Sequence, residues 1–424
     1  MLQKRTVEFY NVTFAESSGL LHFALKLDEC ELVKEKKLER VTVTLMNRAL
    51  SKCHTDDPLY FSVQSELNIW WLGAFEAMNS QVFMPFKSST LTVIGCTSDK
   101  SCPETISNTD ITCSAGMRPG ICVYHNYSYA DHSSSAGYLF EDNFAVVGDT
   151  AAWHNRLVFG CGIIDTGLEA AYNASGLMGL SRGPLSLITQ LGLKAFSYCF
   201  PSRAHSTNVT GYLTLGSSQL TRASKSLQYT PMLQLNQLME PSQFYYLGLI
   251  GISIDGMLLN IPPTAFAFSS DGLSGGAYLD SGTTFTEFVD EAFTIFQSAF
   301  VAAMDSSFIR SDNIDDGNRV CYAVPPSQKK FLVAPKVTLH FSGMVDLQLS
   351  TDHSLFDNTT LNSIIDNNPT SIKYFCLAYE NAGSVLDGGQ NVIGNYQQQN
   401  FLVEFDIANS RIGFAPSTCD DEGA

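Results

Sequence analysis

The sequence contains no Cys-X-X-Cys pair, so none of its 11 cysteines has the spacing with which paired thiolates hold a structural zinc. It contains no run of about 18 apolar residues, which excludes a membrane-spanning helix. Met1 to Gly19 lacks the apolar stretch found at the centre of a secretory signal peptide, so no such peptide is visible. None of the eight histidines stands in a His-Glu-X-X-His setting, which excludes a zinc peptidase of that kind, and the histidine contexts do not indicate a serine triad either. Basic residues are scarce: 25 Lys and Arg face 42 Asp and Glu, a formal net charge of -17. An acidic body repels phosphate backbones, which argues against a nucleic-acid partner. Two local gaps complete the inventory: no aspartate lies between Asp57 and Asp99, and no cysteine between Cys53 and Cys96.

What is present describes a globular protein with a large core: 424 residues, 45% hydrophobic and 16% charged, enough chain for two or three domains. The charge is uneven. Residues 1–52 carry nine Lys and Arg against seven acids, so the remainder holds 16 against 35. So many cysteines outside zinc spacing indicate an oxidising compartment. Five Asn-X-Ser/Thr sequons, at Asn11, Asn126, Asn173, Asn208 and Asn358, suit the same route.

The most informative stretch is Gly275-Gly276-Ala277-Tyr278-Leu279-Asp280-Ser281-Gly282-Thr283-Thr284-Phe285. An apolar strand, Ala277 to Leu279, delivers one carboxylate onto a tight turn where Gly282 leaves backbone amides open to it. Ser281 and Thr283 add hydroxyls. Donors around a carboxylate favour its ionised form and depress its pKa, so Asp280 is expected to be buried, charged and oriented. A solvated turn at a strand end is the bland alternative, and the apolar run on both sides argues against it.

These residues resemble the second active-site motif of the pepsin-like aspartic endopeptidases, and the flanking words resemble the plant nepenthesin-type branch. The resemblance runs from Phe83 almost without break to the carboxyl end. Cys96, Cys102, Cys113 and Cys122 resemble that branch's cysteine-rich insertion, and Cys321 with Cys376 its second-lobe bridge. Tyr127-Ser128-Tyr129-Ala130-Asp131-His132-Ser133 resembles the flap hairpin, with Tyr129 as the flap tyrosine, and its turn residues predict a hairpin on local grounds as well. Leu177-Met178-Gly179-Leu180 and Val392-Ile393-Gly394-Asn395 resemble the strand that threads beside the catalytic loop in each lobe, which gives an internal repeat.

Half of the first copy is missing, because the family's first motif, Asp-Thr-Gly-Ser, belongs within residues 58–82. Phe61 to Trp70 aligns only faintly with the segment downstream of that motif, with Ser62 at the Asp position. Ile163-Ile164-Asp165-Thr166-Gly167 does contain Asp-Thr-Gly, yet it lies 36 residues after Tyr129, where the family places its first Asp well before the flap.

Several elements are predicted from pattern alone. Leu21, Phe23, Leu25 and Leu27 alternate as a strand; Leu38, Val41, Leu45 and Leu50 suggest a charged helix. Leu157 to Gly162 reads as a strand and turn, and Pro184 to Leu191 as a short helix with Pro184 in its first turn. Ser217 to Ser226 is a boundary. Phe244 to Leu249 and Gly251 to Ile254 read as paired strands, and Phe288 to Met304 as a helix with Val289, Ala292, Phe293, Phe296 and Phe300 on one face. Further strands are expected at Val337 to Phe341, Phe375 to Tyr379, Phe401 to Phe405 and Arg411 to Phe414.

The resulting expectation is an all-β protein with a few short helices, a bilobal pepsin-like fold whose amino-terminal lobe is incomplete. Its parts are a propeptide-like segment at 1–57, whose basic charge would sit on the acidic body, a first lobe with flap at 58–222, and a second lobe at 223–424. The resemblance implies proteolysis by a water activated between two Asp, with Asp280 catalytic and Tyr129, Ser281, Gly282 and Thr283 lining the substrate. With one Asp identifiable, a chain that is inactive or impaired is expected. A non-catalytic binding or inhibitor protein, similar to the cereal xylanase inhibitors, is the alternative, and a homodimer joining two copies of Asp280 is remote. No metal or cofactor is implied. Expected partners are protein or peptide substrates, without nucleic acid or membrane, and the chain is expected to be a monomer of the secretory pathway, extracellular or vacuolar.

Overall fold

The computed structural model describes residues 6–8, 10–14, 21–25, 43–45, 59–64, 71–73, 85, 88–99, 101–103, 111–114, 120–128, 134–146, 153–166, 176–202, 211–216, 226–233, 243–269, 274–312, 319–325, 327–328, 332–358 and 372–419. Strands dominate, and the helices among these residues are short apart from Asp290–Ala303.

A six-stranded sheet joins the two halves of the chain. Its order is Thr6–Glu8, Tyr212–Leu215, Ala195–Cys199, Phe401–Asp406, Arg411–Pro416 and Gln228–Pro231. At its centre Ala195–Cys199 runs antiparallel to Phe401–Asp406, with Phe196 opposite Phe405 and Cys199 opposite Leu402. Both strands are buried along their whole length, and their only polar residues are Ser197, Glu404 and Asp406. On one face Phe405 stacks on Phe196 with ring centroids 4.4 Å apart and meets Tyr245 edge-on at 4.6 Å. On the other face Tyr212, Leu402 and Ala415 surround the Cys199–Cys419 disulfide, which closes 220 residues of chain.

Each half contributes its own mixed sheet, and the two sheets repeat one motif. In the second half Ala277–Leu279 lies parallel to Asn391–Ile393; Thr286–Phe288 bridges antiparallel to the other side of that strand and pairs parallel with Tyr379–Asn381. In the first half Leu59–Gln64 lies parallel to Gly176–Gly179, Trp71–Gly73 antiparallel to its other side, and Trp153–Thr166 parallel to Trp71–Gly73. Four strands therefore recur in the same order and with the same senses. The rest of the second half forms two four-stranded sheets, one of them Met257–Leu258, Leu249–Ile254, Val337–Phe341 and Val345–Leu349. Helix Asp290–Ala303 packs Ala292, Phe296 and Phe300 inward, one above the other at four-residue spacing.

Local bridges match the sequence reading where pairing could be argued. Cys321 and Cys376 are directly opposed on neighbouring strands and bonded, and the cysteine-rich insertion closes as Cys96–Cys113 and Cys102–Cys122. Cys161 is buried. The expected hairpin is present, with Cys122–Ser128 and Ser134–Val146 antiparallel and Ser128 opposite Ser134. The Ser88 and Thr90 hydroxyls both donate to the buried Asp142 carboxylate.

Four expectations are corrected. Val43–Leu45, assigned to a charged helix, is a strand paired with Phe144 to Val146, because backbone partners on an open sheet edge override a weak helical period. The strand through Leu157 does not turn at Gly160 to Gly162 but continues from Trp153 to Thr166, with Gly162 opposite Gly137. A Cβ at Gly137 would lie 1.9 Å from the Cys161 carbonyl oxygen, so glycine there serves close strand approach. Leu249–Ile254 pairs with Val337–Phe341, whereas Tyr245–Leu247 pairs with Ala277–Leu279, so the two adjacent strands enter different sheets. The helix after Pro184 starts only at Leu187, where the Ser186 hydroxyl accepts the Thr189 amide hydrogen bond. The proposed boundary at 217–226 lies, apart from Ser226, outside the described residues.

Removing the Phe405 ring, fully buried between Phe196, Tyr198 and Tyr245, should cost about 3–5 kcal/mol. Ile250→Ala, at an exposed side chain, should change stability by less than ~0.5 kcal/mol. Urea denaturation of Phe405→Ala and Ile250→Ala measures both, and equal losses would contradict the placement of the joining core.

Candidate active site

Asp280 leaves the end of its strand buried, with 1% of its surface exposed. Its amide donates to the Ile393 carbonyl at 3.1 Å, continuing the parallel pairing one residue past the strand. The carboxylate is gripped on both oxygens: the Gly282 amide reaches Oδ1 at 2.7 Å and the Thr283 hydroxyl reaches Oδ2 at 2.6 Å. Ser281 is wholly buried, and its carbonyl accepts from Asn395 Nδ2 at 3.3 Å. Gly282 and Thr283 thus hold the carboxylate, and Ser281 holds the turn. Gly394 faces the loop because a Cβ there would lie 2.4 Å from the Phe285 carbonyl carbon.

The turn is held from beneath by Asn395–Gln398, a segment whose glutamines belong to no catalytic motif in the sequence. Gln398 Nε2 donates to the Asp280 carbonyl at 3.1 Å and to the Ile393 carbonyl at 2.7 Å, while its Oε1 accepts the Tyr198 hydroxyl. Burial pushes the Tyr198 hydroxyl pKa far up and the negative charge of Asp280 adds to this, so the proton stays in place as a donor. Gln397 spans the next layer, donating to the Ala378 carbonyl at 2.8 Å and accepting from the Thr286 amide at 2.8 Å. Nothing local in the sequence marks this role of Gln397 and Gln398, both fully buried.

Two ionisable groups surround this core. Burial, then the charges of Glu380 and Asp280, push the Glu287 carboxyl up to about 7. His353 is buried and neutral: Nδ1 accepts the Ser350 amide at 3.1 Å and Nε2 donates to the Gln399 carbonyl at 2.7 Å. Burial lowers its pKa, outweighing the upward pull of the Gln399 carbonyl and Asp352. No group of three His, Cys, Asp or Glu among the described residues is placed to hold a metal ion, and no described helix is long and apolar enough to cross a membrane.

The repeat identifies the residue of the first half at the position equivalent to Asp280. Leu279 pairs with Ile393, and Val63 pairs with Met178. Glu287 pairs with Val392, and Trp71 with Leu177. Superposing the Leu177-Met178-Gly179 and Val392-Ile393-Gly394 strands therefore sets Gln64 at the position of Asp280 and Trp71 at that of Glu287, without a gap. Ser62, the position suggested by sequence alignment, falls two residues earlier. Asp165 lies in the long strand opposite Ser135, on the flap hairpin's partner. Tyr129 lies outside the described residues, in the connection between Ser128 and Ser134.

Two family profiles match the chain, Xylanase inhibitor N-terminal over residues 58–217 and Xylanase inhibitor C-terminal over residues 244–416. Aspartic proteinase nepenthesin-1 of Nepenthes gracilis is 31% identical over 343 residues, covering 80% of this chain and 69% of its own length. Aspartyl protease AED3 of Arabidopsis thaliana is 33% identical over 73% of this chain, which spans 63% of that relative's length. Aspartyl protease 25 of Oryza sativa subsp. japonica is 30% identical over 81% of this chain and 74% of its own. Among solved structures, basic 7S globulin from soybean superposes with a TM-score of 0.66 at 18% identity, over 99% of both chains. Conglutin gamma from lupine seeds gives 0.65 at 17% identity, over 99% of this chain and 98% of that one. At such identity these two establish the fold alone.

The two ionisable groups pull stability in opposite directions. His353, depressed below 6.5, contributes stability that is present above its unfolded pKa and lost as pH falls through the folded value. Glu287, raised from 4.5 to about 7, contributes stability present below 4.5 and lost as pH rises through 7. These windows overlap, so the two effects oppose each other in the wild type: in Glu287→Gln the thermal midpoint should rise with pH up to 6.5, and in His353→Gln it should fall between pH 4.5 and 7. Thermal melts of both variants from pH 4 to 8 check this, and midpoints that move with pH in the same direction in both would contradict the assignment.

Proposed function

Because the chain belongs to the plant nepenthesin-type branch of the pepsin-like aspartic endopeptidases, we propose that its functional site is an aspartic-peptidase site holding one of two carboxylates, able to bind a protein or peptide chain and impaired in cleaving it. The observation that carries this reading is the strand register that sets Gln64 where the repeat calls for a second Asp. The lobes are taken as 58–222 and 223–424, with 1–57 as a propeptide-like segment. The cysteine pairing and sequons support passage through the secretory pathway.

The chemistry explains the impairment. In this class two carboxylates about 3 Å apart share one proton, so one acts as base toward water and the other as acid toward the scissile carbonyl. Asp280 has the setting for the ionised partner: both oxygens accept hydrogen bonds and its backbone is fixed by Ile393 and Gln398. A glutamine amide neither takes up nor releases a proton at accessible pH, so it cannot serve as the second member. Substrate lining is assigned to Tyr129, Gly282 and Thr283, with Ser281 supporting the turn from below.

A second reading, a binding protein of protease fold without peptidase activity, has its support in the same glutamine. It differs from the first in whether the rest of the machinery is still competent.

Expressed as written, the chain should hydrolyse denatured protein at acidic pH no faster than its Asp280→Ala variant. Gln64→Asp should raise the rate at least ~100-fold, the usual scale for supplying a missing acid–base group, with sensitivity to pepstatin and dependence on Asp280. Ser62→Asp should not. Activity in Ser62→Asp but not Gln64→Asp would overturn the register, and inactivity in both would favour the binding-protein reading. Pepstatin-sensitive cleavage by the unmodified chain, lost in Asp280→Ala, would overturn the impairment and direct attention to Asp165.

A further inference from the structure

On the outer face of the sheet formed by Leu249–Ile254, Val337–Phe341 and Val345–Leu349, three side chains from three adjacent strands form a relay. Ser253 Oγ lies 2.6 Å from His340 Nε2, and His340 Nδ1 lies 2.7 Å from Asp346 Oδ1. Strand pairing fixes the geometry: His340 is directly opposite Asp346 on one side and Gly251 on the other, with Ser253 two residues along on the same face. With Nδ1–H donating to the carboxylate, Nε2 presents its lone pair to the serine hydroxyl, and the carboxylate holds the ring in that tautomer. Hydroxyl, base and orienting acid are then connected in the order that activates a serine nucleophile.

The surroundings are consistent with an apolar reactant. Ser253 is buried at 5% exposure, His340 is partly exposed and Asp346 half-exposed, so the relay runs from a sheltered hydroxyl to open solvent. Leu258, directly opposite Ser253 on the edge strand, is 69% exposed and lies against Gly251 beside the imidazole. Exposed Ile250 and Met257 flank the same hairpin. Glycine at 251 leaves room for that leucine: a Cβ there would sit 3.0 Å from its Cδ1 and 3.8 Å from His340 Cδ2.

We propose that Ser253, His340 and Asp346 form a second nucleophilic site, separate from the Asp280 loop, that accepts an acyl group from small activated esters with an apolar acyl chain. Ser253 Oγ bonds to the acyl carbon as its proton passes to His340 Nε2. The ester C–O bond breaks, and that proton goes to the departing oxygen. Water then attacks the acyl carbon while giving a proton to Nε2, the Oγ–acyl bond breaks, and Ser253 recovers its proton as the carboxylic acid leaves. Water is the only co-reactant. The site does not rest on the peptidase reading.

The test uses the full chain with a fluorophosphonate probe and p-nitrophenyl butyrate. The probe should attach at Ser253, located by peptide mass mapping, and ester hydrolysis should be abolished in Ser253→Ala. His340→Gln keeps an amide able to hydrogen-bond both neighbours, so it tests chemistry rather than folding; it should slow labelling at least ~100-fold, and Asp346→Asn at least ~10-fold. Pepstatin should leave labelling unchanged. Absence of the probe from Ser253 in protein with an unaltered thermal midpoint, or equal labelling of Ser253 in His340→Gln, would overturn the proposal.

Discussion

The amide of Gln398 is the joint on which this molecule turns. It donates to two carbonyls of the loop that carries Asp280 and accepts a hydroxyl from Tyr198, a residue of the sheet that joins the two halves. A single neutral side chain thus connects the candidate site to the central sheet, with 200 residues of sequence between Tyr198 and Gln398. Its position is enforced by burial: an amide with no access to water must find every partner inside the protein, and unmade bonds there cost about 1–3 kcal/mol each. The carboxylate above it therefore inherits a fixed backbone.

That rigidity has an electrostatic counterpart. An amide and a hydroxyl donate to the two oxygens of the Asp280 carboxylate. Donors on both oxygens favour the ionised form in the interior. For Glu287, on the far side of Asn391–Ile393 from the Asp280 strand, burial and the neighbouring acids push the carboxyl up to about 7.

The strand patterns and the Asp280 turn were legible because both are local: alternation, a glycine and two hydroxyl residues within four positions of the carboxylate. Cys321 with Cys376 was legible through family resemblance, and the structure shows them opposed in register. Features built from distant segments were not. Nothing local marks Gln398 as a partner of Tyr198, or Cys199 as the partner of Cys419. Ser253 and His340 are 87 residues apart and meet only because their strands pair. Errors of local reading had the same origin: Val43 to Leu45 carries a weak helical period that an available sheet edge outcompetes. Sequence alignment placed Ser62 against the missing Asp because it matched letters nearby, whereas strand register counts residues from a shared hydrogen-bonded partner and arrives at Gln64.

The bond between Cys199 and Cys419 has a consequence for how the chain is made. The bridges at Cys96–Cys113, Cys102–Cys122 and Cys321–Cys376 span 17, 20 and 55 residues, so each can close soon after its second cysteine emerges during synthesis. Cys199 must wait for 220 further residues, about 10–45 s at ordinary elongation rates. Its strand is completed by Phe401–Asp406 from the far end, so the sheet joining the halves also closes last. Throughout that interval the nascent chain carries the unpaired Cys199 thiol and an open sheet edge, and neither is covered until Phe401–Asp406 and Cys419 have been made.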